Sequence, residues 1–137
     1  MAASAGIIGY GVTLGYATTG TTTYTTVGEI IDLGGPNIDT DDVELTHSSS
    51  PDTFKEYCAG LGEPGEFECE VNYDKTNTAS VYALHRSKKS WKVTLPDSST
   101  WVAVGYLKTL GNQIPVGDRV TQTWAVKLTG KPTFTAG

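Results

Sequence analysis

The sequence predicts a mainly β fold, a sandwich or barrel of six to seven strands with one flanking α-helix. Three observations carry this reading. Apolar and polar residues alternate with period two over several strand-length runs. Only one stretch, about 76–88, has helical spacing between cap and cation signals. Clusters of Gly, Pro, Ser and Asp cut the chain at strand-length intervals. The 137 residues make a single domain, 1–137, large enough to bury a core of its own.

The first run places Ile8, Tyr10, Val12, Leu14 and Tyr16 on one face and Gly9, Gly11, Thr13 and Gly15 on the other. That is a strand with a nearly bare face, where another backbone can come close. "TGTTTYTTVGEIIDLGG" is rich in β-branched residues and closes on Gly34-Gly35-Pro36, a second strand and its turn. Residues 35–65 differ: turn-forming clusters surround one strand-like piece, Val43–His47. Loops of this length inside a compact domain are usually functional or disordered. The expectation is an extended arm or hairpin that reaches a neighbouring subunit.

In "GEFECEVNYD", Glu66, Glu68 and Glu70 share one parity, and Phe67, Cys69, Val71 and Tyr73 share the other. A strand here has a row of carboxylates on one face and core on the opposite face. Same-face neighbours lie roughly 7 Å apart. Two like charges at that distance repel by about 0.6 kcal/mol in water and by about 2.4 kcal/mol at an effective dielectric of 20. The row must therefore be wet, or face cations of the C-terminal third.

"NTASVYALHRSKK" reads as the helix, with Asp74 or Asn77 as its cap and His85, Arg86, Lys88 and Lys89 at its C-terminal end. "SWKVTLPDSSTWVAVGYLKTLG" gives two strands across the turn 96–100. "GDRVTQTWAVKL" is the last strand, with Val120, Trp124, Val126 and Leu128 on one face and Arg119, Thr121, Thr123 and Lys127 on the other; "TGKPTF" ends the fold.

Charge is segregated. Residues 29–74 hold thirteen acids and one base; residues 75–137 hold nine bases and two acids. Either two halves of one domain neutralise each other, or the acidic surface of one subunit meets the basic surface of the next. A head-to-tail contact of the second kind makes rings or filaments. Cys58 and Cys69 read as buried thiols in a reducing compartment, with a pairing across the 60–65 turn as the alternative. The N-terminal stretch has no Lys or Arg and is too Gly-rich to span a bilayer, so a cytoplasmic protein with no membrane partner is expected.

No catalytic, cofactor or metal constellation emerges. His47 and His85 stand apart from other ligands. "GYGVTLG" has the wrong spacing for a dinucleotide loop, and "DTDDVE" lacks the glycine of a calcium loop. Lys88, Lys89 and Lys92 have no aromatic platform around them that would suit nucleic acid. An enzyme is the weakest reading.

The order "TVGEIIDLGGP", long arm, "GEFECEVNYD", helix, "WKVTLPDSSTWVAVGYLKTLG" and "VTQTWAVKLTGKPTF" resembles the major tail protein, or tail tube protein, of lambda-type long-tailed phages, over roughly residues 10–135. The resemblance implies a β-sandwich flanked by a helix, assembled into hexameric rings that stack into a tube in the virion tail, built in the host cytoplasm. It implies tape measure, tail tip and terminator proteins as partners, and DNA that passes through without specific binding. Within such a tube, Glu66, Glu68 and Glu70, whose face follows from alternation and charge rather than from a family motif, are assigned to the lumen. Asp39, Asp41, Asp42, Asp52, Phe54 and Tyr57 are assigned to an arm between rings. The rival readings are another head–tail or capsid structural protein, such as a terminator, and a small β-sandwich binding module using Trp91, Trp101 and Trp124.

Overall fold

In the computed structural model, residues 4, 6–17 and 24–137 are described. Among the described residues the strands are β1 (Thr13–Ala17), β2 (Thr25–Val27), β3 (Glu29–Gly34), β4 (Asp39–Glu44), β5 (Tyr57–Glu63), β6 (Glu66–Asn72), β7 (Lys89–Thr94), β8 (Thr100–Gln113) and β9 (Thr121–Thr135), with one α-helix, α1 (Lys75–Tyr82). Seven strands form one antiparallel sheet in the order β2-β1-β7-β8-β9-β6-β3; β4 and β5 form a separate hairpin.

The two edge strands of the large sheet, β2 and β3, are separated by Gly28 alone. A sheet whose opposite edges lie one residue apart must be rolled on itself. The stretch expected as one strand is thus split between both edges, and its residues 19–23 lie outside the described residues. Gly28 turns the corner at φ +84°, and a Cβ there would press on Val71 at 3.0 Å and the Trp124 ring at 3.3 Å. Only glycine meets both demands.

Inside the roll lie Leu14, Phe67, Val71, Trp91, Leu107, Trp124 and Val126, with Val81 and Leu84 added from the helical segment. Trp91 donates its indole N–H to Gly105 O (3.1 Å), and Trp101 packs on Phe134 with ring centroids 5.0 Å apart. With Trp91 and Trp124 in the core, these tryptophans form no ligand platform.

Several expectations are corrected. The N-terminal strand begins only at Thr13; Ile8 and Tyr10 are exposed, because β1 pairs with β7 and the register ends at Thr13 opposite Thr94. Asp74 caps α1, accepting from Thr76 N (2.8 Å). The helix expected to about residue 88 stops at Tyr82 with no cation in its last turn. Leu84 is drawn into the core, His85 bridges to Leu107 of β8, and Arg86 adopts φ +70°. Tyr73 falls beyond the end of β6 and is half-exposed. β9 does not end before "TGKPTF" but runs to Thr135. Gly130–Pro132 bulge out of register between Thr129 and Thr133, which lets the strand tolerate a proline.

Cys69 is buried, but Cys58 is exposed on the hairpin, and both are free thiols. Burial pushes the Cys69 thiol up to about 12. No described helix is long and apolar enough to cross a membrane.

One buried polar residue ties the layers together. Gln122 Oε1 accepts from Trp124 Nε1 (3.2 Å) and from Thr78 Oγ1 of α1 (3.0 Å), while its Nε2 donates to Asn112 Oδ1 on β8 (2.8 Å). Gln122→Met keeps the volume and strands these partners. We expect it to lower unfolding stability by about 1–3 kcal/mol in urea titration, whereas a merely solvated glutamine would give no change.

Candidate functional site

The carboxylate row lies on β6, with β9 on one side and β3 on the other. Phe67, Cys69 and Val71 are buried beneath it, as the alternation requires, and Glu68 and Glu70 are exposed above. Water solvates these charges, so the row costs little.

The row is not uniform. Glu66 stands opposite Lys127 of β9, its side chain is only 26% exposed, and its Oε2 lies 3.8 Å from Lys108 Nζ. That end is neutralised by cations of the C-terminal third. Glu68 faces Ala125 and Gly34, and Glu70 faces Thr123 and Asp32. Asp32, absent from the sequence reading of this surface, joins Glu68 and Glu70 around a shallow depression floored by Gly34 and Thr123. The open acidic patch is therefore Asp32, Glu68 and Glu70.

The second surface is the β4–β5 hairpin. Every β4 residue is exposed, and on β5 only Gly60 is partly covered. Asp39 stands directly opposite Glu63, an unfavourable like-charge pair. Asp41, Asp42, Asp52, Phe54 and Tyr57 all point into solvent, with Phe54 76% exposed. The strands are joined by a stitched loop. Leu45 N donates to Glu56 O (2.8 Å), Ser50 Oγ donates to Glu56 Oε2 (2.6 Å), and His47 Nε2 lies 3.4 Å from the same oxygen. An isolated two-stranded hairpin is marginal in water. This one has a preformed tip and no core.

A third feature escaped the sequence reading. A groove of about 680 Å³ runs between α1 and the β8–β9 turn, with Tyr73, Tyr82, Leu110, Ile114, Val120 and the buried Gln122 in its walls. The signal for its floor was available: Gln122 interrupts the apolar parity of "VTQTWAV", and such a residue needs partners when buried. Among the described residues no group of His, Cys, Asp or Glu could hold a metal ion. The site offers charge and contact surface rather than reactive groups.

The family model described as "Lambda phage tail tube protein, TTP" matches residues 10–135. Solved structures share the fold at low identity. The tail of an empty gene transfer agent particle, determined by helical refinement with C6 symmetry, superposes with TM-score 0.77 at 14% identity, covering 96% of this chain and 100% of that one. The virion of the native gene transfer agent particle gives 0.78 at 12% identity, covering 96% and 100%. The SPP1 tail tube gives 0.65 at 11% identity, covering 96% and 80%. No curated protein matches the sequence significantly.

Proposed function

The chain belongs to the lambda phage tail tube protein family, and from that premise we propose how its surfaces serve the tube. It is a structural component of the virion tail, not an enzyme. In our reading six subunits close into a ring, rings stack, the hairpin 35–65 reaches the adjacent ring, and the carboxylate row of β6 lines the channel. Tape measure, tail tip and terminator proteins would start and stop growth.

The observation that carries this reading is the solvated patch of Glu68, Glu70 and Asp32 on the outer face of a rolled sheet. Duplex DNA carries one negative charge per roughly 1.7 Å of axis. A basic wall would release counterions and hold it. An acidic wall repels it over about one Debye length, roughly 8–10 Å, and keeps it moving. Glu66, neutralised by Lys108, would form the edge of that lining.

Electron cryomicroscopy of the purified protein tests the reading. The expected result is long hollow tubes with sixfold rings and β6 on the inner wall. Closed rings that never elongate, or Glu68 and Glu70 on the outside of the tube, would overturn it.

A further inference from the structure

We propose that the acidic hairpin of one subunit seats in the groove between α1 and the β8–β9 turn of another. The inference rests on the reading of residues 35–65 as an inter-subunit arm and supplies its receptor.

The first argument is placement. The hairpin joins the body at the start of β6, where Gly65 O accepts from Leu128 N at 3.1 Å. The groove lies at the opposite end of the same strand: Tyr73 follows β6 directly, its N–H donates to Val120 O (3.0 Å), and Gln122 pairs with Val71. β6 is seven residues long, which separates the two features by about 20 Å. The base of the hairpin, Ile38 and Gly62–Pro64, lies beside Gly130–Pro132, at the end of β9 remote from Gln122, so the arm leaves the body away from its own groove and the contact proposed joins two copies. It is heterologous, so each docked copy leaves a free arm at one end and a free groove at the other. Such a contact closes into a ring or, made between rings, stacks one on the next.

The second argument is complementarity. Residues 36–64 carry seven acids and one base. On the helical side of the groove, residues 73–89 carry Lys75, Arg86, Lys88 and Lys89 against Asp74, while Asp118 and Arg119 of the β8–β9 turn offset each other, which leaves the rim basic. Both partners also expose large apolar groups in the middle of that charge. On the arm Phe54 and Leu61 are 76% and 83% exposed; at the groove Tyr82 and Ile114 are 67% and 73% exposed. Apolar anchors inside a charged rim are the anatomy of a specific protein contact. The arm has no core of its own, so docking would also supply the burial that its two strands lack.

The test places a photo-crosslinking benzoylphenylalanine at Tyr82, and separately at Ile114, in the full chain. Tubes are assembled from a mixture of isotope-labelled and unlabelled subunits. Irradiation is expected to join the probe to a peptide within residues 39–63, with mixed isotope labels showing that the partner is a second copy. Either position suffices if the other impairs folding, since both side chains are exposed. Crosslinks from assembled tubes that fall only on other peptides, or only on a different virion protein, overturn the groove assignment. A chain lacking residues 38–64 separates the two readings. If it still polymerises, the arm reading itself fails. If it does not polymerise and the crosslinks lie elsewhere, only the receptor is wrong.

Discussion

Deleting Ile38–Pro64 and joining Asn37 to Gly65 through two glycines is expected to yield a folded monomer that no longer polymerises. The body should survive because the deleted segment contributes nothing to the core: no residue from 38 to 64 is a member of the buried cluster. The cut ends already meet. Gly65, at φ +78°, sits so close against the Asn37 backbone that a Cβ would collide with the Asn37 carbonyl. A short link therefore spans them without strain. Replacing a long closed loop by two residues also removes closure entropy, on the order of 2 kcal/mol in favour of the folded state. Unfolding should be as cooperative as in the parent, with an unchanged or raised midpoint. Assembly should be lost outright, because the deletion removes Phe54, Tyr57 and the acidic side chains together. Sizing chromatography and negative-stain microscopy read the result. Tubes of normal length from the deleted chain would show that residues 35–65 are dispensable and that rings stack through the barrel alone.

Much of the fold was legible because a strand writes its two faces into alternate residues. The β6 segment shows this best: Phe67, Cys69 and Val71 went inside and Glu68 and Glu70 outside, from parity and the cost of burying like charges. What parity cannot give is the neighbour. Asp32 beside Glu70, and Lys108 and Lys127 around Glu66, were all in the sequence, but strand order brings them together and strand order is a long-range property. The same limit hid the N-terminal outcome. Ile8–Val12 alternates as well as any strand, yet β7 ends before it can be paired. At Gly28 the local pattern ran on smoothly while the chain crossed from one edge of the sheet to the other, a demand set by Val71 and Trp124. The helix was over-extended because its cations suited a C-terminus, whereas burial of Leu84 and the His85 bridge to β8 ended it more than a turn earlier.

Glu68→Lys/Glu70→Lys is expected to leave tube assembly intact and to slow DNA ejection at least tenfold at low salt. Reversing Glu66 as well would confound the experiment. A lysine there would face Lys127 across the strands, with Lys108 near by, and like charges so placed destabilise the sheet. The other two positions carry no such penalty. Glu68 faces only Ala125 and Gly34, and a lysine at position 70 would gain a favourable partner in Asp32. Folding should therefore be unharmed. Each subunit gains four units of positive charge, about 24 per ring of six, placed where phosphates would pass. Attraction of this kind follows counterion release, so the slowing should fade as salt rises through a few hundred millimolar. Glu68→Gln/Glu70→Gln, which removes repulsion without adding attraction, should fall between the parent and the reversed form. Ejection timed from phage carrying each variant, across a salt series, measures the effect. If the reversed chain builds no tubes, the row is a subunit contact. Unaltered ejection at low salt would place it on the outside of the tail.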